Sequence, residues 1–135
     1  MATILSVDDE LNPLILRKLL LESAGHRVLS ASSGIETLRI LQVEKPDLVL
    51  TDHLMPGMTG AELAREIKAR YPEMPVIIVT GLHELPAGAA VADLVMHKLE
   101  RRATLLGNIE KILHREAVSS DEATGSSSSA DPASN

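Results

Sequence analysis

The chain contains no cysteine, tryptophan or phenylalanine, and Tyr71 is its only aromatic residue. Without cysteine, disulfides and thiolate chemistry are excluded, and nothing favours export to an oxidising compartment. One ring is too few for a flavin sandwich or for a stacking platform that binds single-stranded nucleic acid. The formal net charge of −6 also disfavours direct nucleic-acid binding, which depends on basic surface.

Long apolar runs are missing as well. Pro, Gly or charged residues interrupt every apolar stretch well before the roughly 20 residues that a membrane-spanning helix needs. The N-terminus has no basic segment followed by an apolar one, so a signal peptide is not expected. These patterns favour a cytoplasmic protein without a membrane partner.

Composition divides the chain into a domain and a tail. The hydrophobic content of 44% is typical of a globular domain. Residues 117–135 are instead rich in Ser, Ala and Asp, and burial of so few apolar groups cannot offset the entropy of ordering them. We therefore predict one domain over residues 1–116 and a disordered tail over residues 117–135.

Short apolar runs alternate with helical patterns along the domain. Such alternation predicts a parallel sheet with helices on both faces, and right-handed connections make it a doubly wound five-stranded α/β fold. The segment over residues 81–93 contains Pro86 and Gly88 and few helix signals, so we expect helix four to be short or irregular. Strands are predicted at residues 3–7, 26–31, 47–51, 75–80 and 94–96. The other helices begin near Asn12 as an N-cap, at the capping patterns of Ser33 with Glu36 and of Thr59 with Glu62, and near Arg102. Gly25 is predicted to end the first helix, and the last helix to end near His114.

Polar residues follow these predicted strands. Ligands of doubly wound sheets bind at the carboxyl ends of the strands, so these side chains are candidates for one site. Each residue alone is more often a turn, cap or solvated residue. Together they converge on one edge of the sheet: Asp8, Asp9 and Glu10 after strand one, Asp52 after strand three, Thr80 at the end of strand four, and Lys98 after strand five.

Carboxylates that converge on one edge repel one another and need a compensating charge. Lys98 supplies one, and a divalent cation can supply another. Oxygen ligands without cysteine or clustered histidine favour Mg²⁺. A hydrated Mg²⁺ beside a lysine and a threonine hydroxyl suits a phosphoryl group, which a carboxylate can attack.

Four motifs follow one another along the chain: Val7-Asp8-Asp9-Glu10, Asp52-His53-Leu54-Met55-Pro56 with Gly60, Val79-Thr80-Gly81 and Lys98. In their order and spacing these motifs resemble the response-regulator receiver family over residues 1–116. The resemblance implies a flavodoxin-like strand order of 2-1-3-4-5 and a signalling switch phosphorylated by a histidine kinase or histidine phosphotransfer protein. It makes Asp52 the phosphoacceptor, Thr80 and Lys98 its catalytic partners, and Asp8, Asp9, Asp52 and the Leu54 carbonyl the Mg²⁺ ligands.

Three features depart from the family pattern. Val95 stands where the family usually has a Tyr or Phe that moves with the threonine, and Leu99 stands where it usually has a proline. The stretch from Thr80 to Lys98 is also about one helical turn short, as in receivers of hybrid kinases and some single-domain regulators. None of these changes removes a chemical group of the site, so we still expect phosphorylation. We expect it to reorder residues 81–93 and not to rotate an aromatic ring.

Other interpretations remain open. The chain could be a pseudo-receiver that only binds other proteins, and any enzymatic activity would be limited to its own phosphorylation and dephosphorylation. A flavodoxin-like cofactor binder would need aromatic residues that are absent. In helix one, Leu16 and Leu20 are predicted to face the core, and Leu14 and Lys18 to point outward as peripheral packing or as a docking surface. A homodimer is compatible with the resemblance, and the downstream target is not predicted.

Overall fold

The computed structural model describes residues 1–81, 88–98 and 101–125, with side chains up to residue 115. Within these residues, five strands alternate with four α-helices, and a 3-10 turn, Ala89–Val91, lies between the last two strands. The strands are β1 Thr3–Val7, β2 Arg27–Ala31, β3 Leu48–Asp52, β4 Val76–Thr80 and β5 Leu94–His97, and the helices are α1 Leu11–Ser23, α2 Gly34–Val43, α3 Gly60–Arg70 and α4 Arg102–Gly125.

All strand pairs are parallel, and their order is β2-β1-β3-β4-β5. This confirms the predicted doubly wound fold. Every residue of β3 and β4 is buried, whereas the edge strands β2 and β5 are only partly so. The central strands are continuous apolar runs because helices cover both faces of the sheet.

Alternate strand residues supply two separate cores. One core joins Leu5, Val49 and Ile78 to buried residues of α2 and α3. The other joins Ile4, Leu50 and Ile77 to Leu21 of α1 and Ile109 of α4. Since Asp52 is two residues beyond Leu50, its side chain lies on the α1 and α4 side of the sheet.

Capping side chains fix where α2 and α3 begin. The Thr59 hydroxyl accepts a hydrogen bond from the Glu62 N–H at 3.1 Å, and the Glu62 carboxylate accepts one from the Thr59 N–H at 2.9 Å, as predicted. Gly60 then allows α3 to start against β3, because a Cβ there would lie 2.5 Å from the Asp52 carbonyl oxygen. Ser33 also caps α2 as predicted, accepting from the Glu36 N–H at 3.0 Å.

Helix α1 begins at Leu11, one residue before the Asn12 that the sequence indicated as its cap. The Asp8 carboxylate accepts the Glu10 N–H at 2.9 Å and orders the turn ahead of the helix. Pro13 lies in the first turn, where its missing N–H costs no helical hydrogen bond. At the other end Gly25, with φ of 94°, ends the helix as predicted.

The predicted orientation of α1 is wrong. Leu14 is 8% exposed and Leu21 is fully buried, whereas Leu16 is 67% exposed and Leu20 only partly buried. Apolar residues surround most of this helix, so hydrophobic periodicity does not single out one face. Leu14 therefore belongs to the core, and only Lys18 of the two predicted outward residues is exposed.

In the C-terminal half of the chain, the last helix is longer than predicted and some residues lie outside the described ranges. Helix α4 continues to Gly125 instead of ending near His114, and the boundary between domain and tail after residue 116 stays a prediction. Residues 82–87, 99–100 and 126–135 lie outside the described ranges, including Pro86, Leu99 and much of the predicted tail. The 3-10 turn Ala89–Val91 lies before β5, where the sequence predicted a short or irregular helix over residues 81–93, and it fits that prediction. No described helix is both long and apolar enough to cross a membrane.

Candidate functional site

The predicted site residues meet at the carboxyl edge of the sheet. Asp8 directly follows β1, and Asp52 is the last residue of β3, one position beyond the predicted strand. Thr80 ends β4 and is buried, and Lys98 directly follows β5. The Lys98 N–H donates to the Thr80 carbonyl at 2.8 Å, which continues the strand pairing up to the site.

Three carboxylates form the acidic pocket of this edge. Asp8, Asp9 and Asp52 each place an oxygen within 4.8 Å of the others. Asp8 and Asp52 are 1% and 2% exposed, whereas Asp9 is exposed to solvent. Oxygen donors of this kind, partly open to water, are the ligands that Mg²⁺ prefers.

Lys98 pairs with the predicted phosphoacceptor. Its Nζ lies 3.0 Å from Asp52 Oδ1, although that oxygen has no described partner at hydrogen-bonding angles, so the contact is an ion pair. Burial raises the pKa of Asp52 above its ordinary value, the contact with Lys98 offsets only part of this, and the charge of Asp8 raises it further. The contact with Asp52 in turn raises the pKa of Lys98.

Two carboxylate oxygens in the pocket lack a hydrogen-bond partner within the described part of the chain. Asp8 Oδ1 accepts the Glu10 N–H, but Asp8 Oδ2 and Asp52 Oδ1 are buried without such a partner. A buried charged oxygen without a donor is costly unless something compensates it. A divalent cation fits this donor set, because both oxygens are held by ion pairs alone and could also coordinate it.

The remaining predicted residues contribute less to the geometry. Glu10 is exposed, and its charge adds to the raised pKa of Lys98. The Leu54 side chain is exposed, and its carbonyl's role as a metal ligand stays a prediction. Met55 is buried in the core beneath α2 and α3, in keeping with a structural role for the loop after Asp52.

Sequence reasoning missed Arg17. This α1 residue has a side chain that is 13% exposed, and its Nη1 lies 3.9 Å from Asp8 Oδ2. Burial lowers the pKa of Arg17, while Asp8 and Asp52 raise it. Its position three residues after Leu14 and four before Leu21 places all three on one helix face, but only the structure shows that this is the buried face.

Two histidines, His53 and His83, follow the third and fourth strands, and His53 is buried. Its Nδ1 accepts the Ala61 N–H at 3.3 Å, so the ring helps to hold the start of α3. It is not among the clustered pocket residues. His83, the other loop histidine, lies outside the described residues.

The doubly wound fold and the acidic pocket at its carboxyl edge define a class of signalling domain, and comparison with known proteins identifies the family. The family model described as "Response regulator receiver domain" matches residues 4–99. The chain belongs to the response regulator receiver domain family. Receiver domains of this family bind Mg²⁺ at an acidic site, and they interact with histidine kinases or phosphotransfer proteins.

Individual relatives place the chain within two-component signalling. It is 40% identical over 125 residues to the transcriptional regulatory protein GlrR of Escherichia coli K12, covering 90% of this chain and 28% of that protein. It is 42% identical over 82 residues to protein PilH of Pseudomonas aeruginosa, covering 59% of this chain and 68% of PilH. The chain thus spans little more than a quarter of GlrR.

A solved structure supports the same assignment. The response regulator TrrA of Thermotoga maritima, solved in complex with Mg²⁺-BeF, superimposes with a TM-score of 0.79 at 31% identity. The match covers 83% of this chain and 99% of TrrA. The likeness therefore extends over a whole receiver domain.

Proposed function

We propose that Asp52 accepts a phosphoryl group from a histidine kinase or a histidine phosphotransfer protein, and that the chain acts as a conformational switch. The observation that carries this proposal is the buried Asp52 carboxylate, 3.0 Å from Lys98 Nζ and beside Asp8, with one oxygen lacking a hydrogen bond. Similarity to TrrA, which was solved with Mg²⁺-BeF, supports it. The predicted cytoplasmic location is part of the same proposal.

The chemistry follows from the groups around Asp52. An Asp52 oxygen forms the new bond to phosphorus while the P–N bond of the donor phosphohistidine breaks, and the imidazole leaves with the bonding pair. Lys98 offsets charge on the transferred group, and the Thr80 hydroxyl donates a hydrogen bond to it. Mg²⁺ held by Asp8, Asp9, Asp52 and the Leu54 carbonyl would offset the remaining charge on the phosphoryl oxygens.

The partner side of the proposal concerns α1. This helix starts directly after the acidic turn, and Leu11, Ile15 and Leu19 are all more than two-fifths exposed. We infer that this apolar row, and not Leu14, contacts the phosphodonor protein. The variant Ile15→Asp should slow transfer from a protein donor at least several-fold and leave labelling by acetyl phosphate unchanged, whereas slowing of both would contradict the inference.

The signal leaving the site is proposed to pass through the loop before β5. The position where the family usually carries an aromatic ring is Val95, which lies opposite Ile78 in the sheet register and is only partly buried against the core. Because its side chain is small and aliphatic, no ring at this position can move together with Thr80. Movement of Thr80 would instead reach the described residues 88–93 through the end of β4. Unchanged amide chemical shifts there on addition of Mg²⁺ and a phosphate mimic would contradict this route.

Labelling with acetyl phosphate tests the central claim. With Mg²⁺ present, the wild-type chain should gain one phosphoryl group by intact-mass spectrometry, and Asp52→Asn should gain none. Asp47→Asn is the matched control, because Asp47 is an exposed carboxylate before the same strand and should leave labelling intact. A wild-type chain that is never labelled would favour the alternative, a pseudo-receiver that only binds proteins.

A further inference from the structure

Arg17 is a largely buried cation that the fold alone does not require. It lies between Leu14 and Leu21 on the face of α1 that packs against the sheet. An apolar side chain would fill that position at lower cost, because a buried charge must be paired and hydrogen-bonded to offset its desolvation. The pairing of Arg17 is incomplete, so packing does not explain its presence.

The nearest charge to Arg17 is the acidic pocket. Its Nη1 lies 3.9 Å from Asp8 Oδ2, too far for a hydrogen bond, and both atoms are buried without a hydrogen-bond partner in the described ranges. Burial lowers the pKa of Arg17, and the charges of Asp8 and Asp52 oppose that change. The guanidinium is thus held beside the pocket by attraction and not locked into it.

The strand face beneath the pocket is also polar. Ser6 is two residues before Asp8 and therefore points to the same side of β1. Its hydroxyl is buried and, within the described part of the chain, has no hydrogen-bond partner. A polar strip thus runs from Ser6 to the pocket next to α1, where Ile4 below it is part of the apolar core.

Charge balance shows what Arg17 can do. Three carboxylates of the pocket, Asp8, Asp9 and Asp52, face the two cations Lys98 and Arg17. A guanidinium remains protonated at any physiological pH, so this compensation is permanent. A divalent cation entering the pocket would share Asp8 with a positive charge already there.

We propose that Arg17 is a built-in counter-cation of the acidic pocket that competes with Mg²⁺ for Asp8, so that the chain binds Mg²⁺ more weakly than it would with a neutral residue at this position. The inference rests on the proposed function, because it takes the pocket as the Mg²⁺ site. A phosphoryl group added to Asp52 brings negative charge, and this charge offsets the repulsion between Arg17 and the divalent cation. The pocket therefore favours a cation and a phosphoryl group bound together over a cation alone.

Calorimetric titration of the full chain with Mg²⁺, without phosphodonor, tests the inference. Arg17→Met removes the charge and keeps an unbranched side chain, and its Mg²⁺ dissociation constant should be about tenfold lower than that of the wild type. Arg17→Lys keeps the charge and should bind Mg²⁺ like the wild type. Lys18→Met, a charge removal at the next and exposed residue, should change the constant by less than about twofold.

Each outcome has one meaning. Equal Mg²⁺ dissociation constants for wild type and Arg17→Met, or weaker binding by the variant, would overturn the inference. Tighter binding by Arg17→Lys as well would trace the effect to packing and would also overturn it. If circular dichroism shows that Arg17→Met does not fold, Arg17→Gln replaces it as the neutral variant.

A separate variant distinguishes this inference from the proposed function. Asp9→Asn should weaken Mg²⁺ binding strongly if the acidic pocket is the metal site. If Asp9→Asn binds Mg²⁺ as the wild type does, the proposed metal site fails together with the Arg17 inference. If Asp9→Asn loses binding and Arg17→Met equals the wild type, only the role of Arg17 is wrong.

Discussion

Two aspartates at opposite ends of the sheet each face a lysine, yet their pKa values move in opposite directions. Asp52 is at the carboxyl end of β3, with Oδ1 3.0 Å from Lys98 Nζ. Asp93 precedes β5 at the other end, with Oδ2 2.7 Å from Lys68 Nζ. The pKa of Asp52 is raised, and that of Asp93 is lowered.

The difference lies in how many donors surround each carboxylate. Burial alone would raise the pKa of Asp93, but Lys68, the Val76 N–H at 2.8 Å and Arg115 at 3.0 Å together outweigh it. Asp52 is more deeply buried, and its lysine is offset by the neighbouring Asp8. A single ion pair does not satisfy a buried carboxylate. Asp93 is a structural anchor whose partners more than offset the cost of its burial, whereas the partners of Asp52 offset only part of that cost.

Removal of the anchor should have the largest effect on stability. Asp93 joins α3, the start of β4 and α4, so Asp93→Ala leaves the Val76 N–H without this acceptor and removes the carboxylate that Lys68 and Arg115 share. We expect the free energy of unfolding, measured by urea denaturation, to fall by about 2 kcal/mol.

A surface ion pair provides the control for that measurement. Glu66 and Arg70 lie 3.4 Å apart, one helical turn from each other, and both are about half exposed. Glu66→Ala should lower the free energy of unfolding by no more than about 0.5 kcal/mol. Equal losses in the two variants would show that Asp93 is no more than another surface charge.

The sequence could predict the pocket better than the anchor, for a physical reason. Asp8 and Asp52 each follow a run of apolar residues, and parallel strands bring their carboxyl ends to one edge. The partners of Asp93 come from three elements that only tertiary packing brings together. Arg17 escaped notice for a similar reason, since its meaning depends on which face of α1 is buried.

The helices show the same limit. Capping patterns predicted where α2 and α3 start, because Ser33 and Thr59 act on neighbouring N–H groups. The buried face of α1 could not be predicted, because apolar residues occupy nearly all of its sides. Contact with the sheet selects Leu14 and Leu21 there, and leaves Leu16 in solvent.

Removing the charge of Asp52 should change the free energy of unfolding by less than Asp93→Ala does, and in the opposite direction. Because ionised Asp52 is unfavourable in the folded chain, Asp52→Asn should raise the free energy of unfolding by about 1 kcal/mol at neutral pH without Mg²⁺. Urea denaturation in the presence of a chelator measures it. A variant less stable than the wild type would show that the ion pair with Lys98 outweighs burial and repulsion.

The pH dependence of these two differences in the free energy of unfolding tests the comparison further. The changes from one pH to the next are the smallest of the expected effects. Folded Asp52 holds a proton more tightly than the unfolded chain does, so its cost is complete above its raised pKa and disappears as the pH falls to the ordinary aspartate value. Folded Asp93 holds a proton less tightly, so its contribution is complete above the ordinary value and is lost only as the pH falls from there through its lowered pKa.

Between the ordinary aspartate pKa and the raised pKa of Asp52, the two variants should therefore respond differently. The stability gained by Asp52→Asn should already shrink there on acidification, while the stability lost by Asp93→Ala should still be complete. Urea denaturation of both variants and the wild type at a series of pH values, without Mg²⁺, measures the two differences. If both fade over the same pH range, the two carboxylates do not differ in the way that their donors indicate, and the pocket is as fully compensated as the anchor.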